Sequence, residues 1–122
     1  MNALYVLVGG ALGSLLRYYV GIWVTNAVGA RSPATFVVNI AGSFAIGAFL
    51  TLSVERSWSS AVVLLVAVGF LGGFTTFSTF TWQTYELVET GHLGRALINV
   101  SASLVVGMLA VWSGVVLAKV VH

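Results

Sequence analysis

Three stretches of this chain carry no charged side chain: residues 32 to 54, 57 to 85 and 96 to 118, which run for 23, 29 and 23 residues. A helix needs roughly 20 apolar residues to cross the hydrocarbon of a bilayer, so each stretch is long enough to do so. The remaining charges are few. Arg17, Arg31, Glu55, Arg56, Glu86, Glu89, Arg95 and Lys119 make up 7% of 122 residues, against about 25% in soluble domains. Eight charges cannot clothe a water-facing surface, whereas a lipid-facing surface requires their scarcity. With 59% hydrophobic residues, the chain belongs in a membrane.

Residues 3 to 26 form a fourth apolar run, broken only by Arg17. Its long side chain can snorkel or face a water-filled cavity. The chain therefore reads as an all-α membrane protein, a single transmembrane domain over residues 1–122, with spans at about 3–26, 33–54, 59–90 and 94–120. Pro33, the only proline, falls in the first turn of the second span, where its missing N–H costs nothing. A β-barrel fits poorly, because these stretches are uniformly apolar and lack the alternating polarity of such strands. There is no cysteine, hence no disulfide or thiolate chemistry. A net charge of +2 is too small to suggest nucleic acid. Met1 to Leu16 has no basic leading segment and runs on into further apolar sequence, so a cleaved signal peptide is not expected.

Orientation in a membrane follows the Lys and Arg bias of the loops. Arg56 and Lys119 lie on one side, and Arg31 and Arg95 on the other. The vote is tied. A chain without bias has no strong reason to insert one way, so oppositely inserted copies are expected to pair as an antiparallel, dual-topology homodimer. Single orientation under a weak residual bias is the alternative.

Lipid supplies no hydrophobic drive for helices to associate, so close backbone approach has to supply it. Gly9 and Gly13 are four apart, as are Gly69 and Gly73, and these read as packing faces. Gly72 and Gly73 fall near the centre of the third span and are followed closely by Thr75 and Thr76. Adjacent glycines and β-branched residues disfavour a continuous helix. The third helix is therefore expected to be interrupted at mid-membrane, exposing carbonyls of Gly72 and its neighbours. Such groups are tolerated in a membrane only where protein, water or an ion satisfies them.

No carboxylate, lysine or histidine lies deep within a span, which removes the usual proton-coupling and acid–base chemistry and argues against an enzyme. The interior groups are neutral: Thr35, Asn39 and Ser43 at i, i+4, i+8 on the second span, six hydroxyl residues from Thr75 to Thr84 on the third, and Asn99, Ser101 and Ser103 on the fourth. Many such hydroxyls simply bond back to their own helix. Asn39 is harder to satisfy that way, because an amide brings both donors and an acceptor into hydrocarbon. A lining of hydroxyls and an amide, with Arg17 as the only intramembrane charge, favours anions. Phe77 and Phe80, three residues apart, could add the positive edges of their rings, or could serve ordinary packing.

These residues fall into recognisable motifs. Residues 9–18 (GGALGSLLRY), 35–44 (TFVVNIAGSF) and 69–80 (GFLGGFTTFSTF) together resemble the Fluc (CrcB-type) fluoride channel family, in order and at its spacing over three of four helices. The resemblance implies a four-helix subunit in an antiparallel dimer of the bacterial plasma (inner) membrane. Two narrow pores would let fluoride leave the cytoplasm passively. By position, Asn39 looks like the pore asparagine, a fluoride-facing amide donor. Phe77 and Phe80 look like the two pore phenylalanines, and Ser78, Thr79 and Thr35 like part of the hydroxyl track. Ser43, Asn99 and Ser103 are further candidate lining residues. Gly72 and Thr75 match positions whose backbone carbonyls, from both subunits, hold a structural sodium ion that is not transported. Arg17 resembles the family's first-helix arginine, assigned to the electropositive approach to the pore.

Two other classes compete with this reading. A small multidrug-resistance-type exporter has this length and helix count, but should carry a glutamate in its first helix, where this chain has only Arg17. A membrane assembly protein that transports nothing would share the glycine faces. It would not explain the Asn39 stripe, the mid-span glycines and threonines, and the phenylalanine pair together.

Overall fold

In the computed structural model, which describes residues 1–121, the chain is all-helical and has no strand among those residues. Helix α1 spans Asn2–Val28 and α2 spans Ser32–Glu55. The third span, Ser60–Glu89, is built from α3 (Ser60–Val63), a wide-turned π-helical stretch (Leu64–Leu71), α4 (Gly72–Phe74) and α5 (Phe77–Glu89). Helix α6 (Leu93–Val121) completes the described residues. Four helices are thus long and apolar enough to cross a membrane. Pro33 sits in the opening turn of α2.

The interior is small. Ala34, Val38, Ala67, Leu71, Phe74, Ala96 and Ala118 are the buried hydrophobic residues among those described, and four of these seven are alanines. Large apolar side chains such as Leu7, Leu15, Ile98, Met108 and Trp112 are more than half exposed. That arrangement would aggregate in water. It suits a chain whose outer surface meets lipid or another apolar surface.

Backbone-to-backbone approach replaces a side-chain core. A Cβ on Gly9 would collide with the carbonyl of Leu65, and one on Gly13 with that of Phe70, so both glycines let α1 lie directly on the π-helical stretch. On the other seam, α2 meets α6 where Gly47 abuts the Val111 carbonyl and Gly114 abuts that of Phe44. These are the close crossings that small residues allow in lipid.

The glycine pair Gly72-Gly73 is itself helical. The extended residues are the two that follow Phe74: Thr75 (φ −89°, ψ 158°) and Thr76 (φ −149°, ψ 114°). Gly73 serves contact instead, since a Cβ there would lie 2.7 Å from the Gly10 carbonyl oxygen. β-Branched threonine is at ease in the extended region, and its hydroxyl can replace the lost backbone bonds. Both threonines use it so. Thr75 Oγ1 donates to Leu71 O at 3.0 Å, and Thr76 Oγ1 accepts from Thr79 N at 3.3 Å as the N-cap of α5.

Candidate functional site

The two extended threonines are held from two neighbouring helices. From α2, Asn39 Nδ2 donates to Thr76 O at 3.0 Å, and Thr76 N donates to Asn39 Oδ1 at 2.8 Å. In a continuous helix that Thr76 N–H would go to Gly72 O, four residues back. Asn39 therefore takes the helical donor from Gly72. One turn further along, Gly42 leaves room for the Thr75 methyl group, which a Cβ would strike. From α1, Arg17 Nε donates to Gly73 O at 2.9 Å.

Two cavities flank this point. The larger, about 630 Å³, lies between α1, α2 and α5; its lining includes Ser14, Arg17, Arg31, Thr35, Thr76, Thr79 and Gln83. Arginines are its only charged liners, and no carboxylate borders it. The smaller, about 280 Å³, is bordered by Asn39, Ser43, Gly72, Thr75, Thr76 and Phe77. Thr76 borders both.

The sequence-predicted residues are thereby divided. Arg17, Thr35 and Thr79 meet in the larger cavity. Asn39, Ser43, Gly72, Thr75 and Phe77 meet in the smaller one. Phe77 is 76% exposed, and its ring centroid is 5.9 Å from that of Phe80, with the planes inclined at 46°. Ser78 lies apart, in a shallow depression beside Thr81, Trp82 and Tyr85. Asn99 ties α6 to α5 by donating from Nδ2 to Thr84 Oγ1 at 3.0 Å, and borders a third groove with Arg95. Ser103 Oγ is buried without a hydrogen-bond partner.

Hydrogen-bond direction decides which hydroxyls can serve an anion, because each has one proton to give. Ser43 Oγ donates its proton to Asn39 O at 2.7 Å, and Thr84 Oγ1 donates to Phe80 O at 2.8 Å. Thr76 Oγ1 and Thr79 Oγ1 share a hydrogen bond at 3.1 Å, so one proton of the pair remains for the larger cavity that both residues border. Asn39 likewise keeps one amide hydrogen beyond the bond to Thr76.

Gln83 was not among the predicted site residues. It is only 8% exposed, borders the larger cavity, and its Oε1 is buried without a partner. The signal was present as spacing: Thr76, Thr79 and Gln83 stand at i, i+3, i+7 and so share one helical face.

The helix ends at this point have opposite polarity. Residues 60–74 finish at the threonines with a negative dipole end, and α5 begins there with a positive one. Within a membrane this pairing of termini is characteristic of ion sites.

The family described as CrcB-like protein, Camphor Resistance (CrcB), matches residues 4–115. The chain belongs to the CrcB-like family. Its CrcB-like relatives match it at nearly full length. A protein of Solibacter usitatus is 47% identical, covering 98% of this chain and 99% of its own length. One from Acidobacterium capsulatum is 44% identical over 98% of this chain and 97% of its own. A Thermus thermophilus protein is 48% identical over 91% and 88%. All three are named fluoride-specific ion channel FluC. Family membership and four apolar helices make this chain a multi-pass protein of a bacterial membrane.

Proposed function

We propose that the chain is a fluoride-selective channel, not an enzyme, that lets fluoride leave the cytoplasm passively. The observation that carries this reading is a cavity lined by neutral donors and arginines, without an acid, at the meeting of two helix termini. Such a lining selects anions electrostatically. The names of relatives at 44 to 48% identity narrow the anion to fluoride.

In this reading the extended threonines are a functional break in the third span. Thr35, Thr79 and the spare amide hydrogen of Asn39 donate to the ion, and Ser78 belongs to the same track. Phe77 and Phe80 offer ring edges to an ion too strongly hydrated to shed its water otherwise. Ser43, Asn99 and Ser103 are secondary lining. The exposed Phe77 ring and the sparsely buried subunit suit assembly with a second, inverted copy, giving two pores in an antiparallel homodimer.

A structural sodium ion fits the donor set. Asn39 withdraws the Thr76 N–H from Gly72 O, and Gly72 and Thr75 border one cavity. Their carbonyls are hard oxygen donors of the kind such a cation accepts. The ion would hold two subunits together at the dimer axis.

Purified protein in liposomes should release loaded fluoride passively, as read by a fluoride electrode, and retain chloride. No fluoride release, or equal passage of chloride, would defeat the reading. An exporter of the multidrug-resistance type gains no support, because α1 holds no carboxylate.

A further inference from the structure

The family resemblance assigns Arg17 to the electropositive approach to the pore; its hydrogen bond to Gly73 O gives it a second task. We propose that Arg17 is a positioning residue, whose Nε–H fixes the backbone at the extended threonines by capping Gly73 O.

Gly73 stands next to the last helical residue before Thr75, and the final carbonyls of a helix lack intrahelical donors. They also carry the negative end of the dipole, which favours a cation. Arg17 brings both a donor and a charge from 56 residues away. Its approach is rigid. Gly73 touches Gly10, which lies two turns before Arg17 on α1, so closely that no Cβ fits between them. Arg17 from α1 and Asn39 from α2 thus act on four backbone groups of three residues: Gly72 O loses a donor, Gly73 O gains one, and Thr76 is bonded through both its N–H and its carbonyl. Without the Gly73 bond the helix end would be free to fray, moving Thr75 and Thr76 and with them the position of Phe77.

This inference rests on the fluoride-channel reading, and one set of variants separates the two. A glutamine in place of Arg17 would put a neutral N–H near the position of Nε, a methionine would keep the length without donor or charge, and a lysine would keep the charge. Wild type, Arg17→Gln, Arg17→Met and Arg17→Lys are compared in proteoliposomes for fluoride release. A neutral donor is weaker than a charge-assisted one by roughly a factor of two in energy, so Arg17→Gln should stay within about threefold of wild type. Arg17→Met, which leaves the carbonyl unpaired, should fall roughly tenfold or more. Arg17→Gln as slow as Arg17→Met, with Arg17→Lys at the wild-type rate, would overturn the proposal in favour of charge alone.

A second measurement does not depend on transport. Gly–Phe pairs occur at residues 69–70 and 73–74, so selective carbon and nitrogen labelling isolates two carbonyl resonances in bilayer samples. The Gly73 carbonyl should hold its position in Arg17→Gln and move upfield in Arg17→Met, while Gly69 stays put. An unmoved Gly73 resonance in Arg17→Met would sink the proposal. If wild type releases no fluoride, the channel reading fails, and the resonance comparison alone decides the role of Arg17.

Discussion

Asn39 and Thr76, 37 residues apart, exchange two hydrogen bonds: the side-chain amide of one pairs with the backbone N–H and carbonyl of the other, as adjacent strands would. The third span is thereby joined to α2 where it leaves its helical path.

Asn39→Asp keeps the acceptor and removes the donor to Thr76 O. Losing this part-buried bond and placing a carboxylate beside that carbonyl should cost about 1–3 kcal/mol. A lowered melting temperature in detergent and a large drop in fluoride release would both be expected. Wild-type release by Asn39→Asp would show that neither amide hydrogen takes part.

Phe77→Ile and Phe80→Ile keep apolar bulk and remove the ring edges. Each should strongly reduce fluoride release without disturbing assembly, as checked by size-exclusion chromatography. Phe77 is mostly exposed, so its substitution should leave the fold intact, and unchanged release in both variants would return the pair to packing.

Gly13→Ala forces a methyl against the Phe70 carbonyl, and overpacking of this kind typically costs about 1–3 kcal/mol. Gly94, helical with nothing near the place a Cβ would take, is the control. Gly94→Ala should be neutral or gain up to about 1 kcal/mol. Thermal unfolding of the two variants in parallel tests the backbone crossing of α1 and the third span.

Gln83→Met removes a buried oxygen that has no partner. Replacing such a group by an apolar one of similar shape is commonly neutral or stabilising. Melting temperature should therefore hold or rise while fluoride release falls several-fold. A parallel loss of both would assign Gln83 to the fold.

The chain contains no cysteine, so a single one reports topology cleanly. Ala30→Cys lies in the exposed connection between α1 and α2. With tied loop charges, a membrane-impermeant maleimide applied to intact cells should label about half of the copies. Complete labelling, or none, would establish one orientation.

The four helices were legible because lipid leaves little freedom: the positions of eight charges delimit the apolar runs. Asn39 and Arg17 also stood out, since an amide and a guanidinium in hydrocarbon demand explanation. Their partners did not. Thr76 and Gly73 are engaged through backbone atoms, and which backbone atom lies opposite depends on how far one helix slides along another. The glycine pair is itself helical and does not carry the extended backbone. Gly73 serves the contact with Gly10, while the extended backbone falls on the threonines, which carry their own replacement hydrogen bonds. Gln83 shares a helical face with Thr76 and Thr79 by its spacing, but that this face borders a cavity depends on how α1 and α2 pack against it.

That the Arg17 and Asn39 contacts beside the extended threonines both end on main-chain atoms has a genetic consequence. A contact between two side chains can be repaired by a reciprocal exchange, and leaves paired changes behind as lineages diverge. A contact with a carbonyl or an amide N–H offers only one position that can mutate. Second-site suppressors of changes at Arg17 or Asn39 should therefore not arise as swaps at Gly73 or Thr76, and residue covariation should pass over both contacts however strongly they are needed.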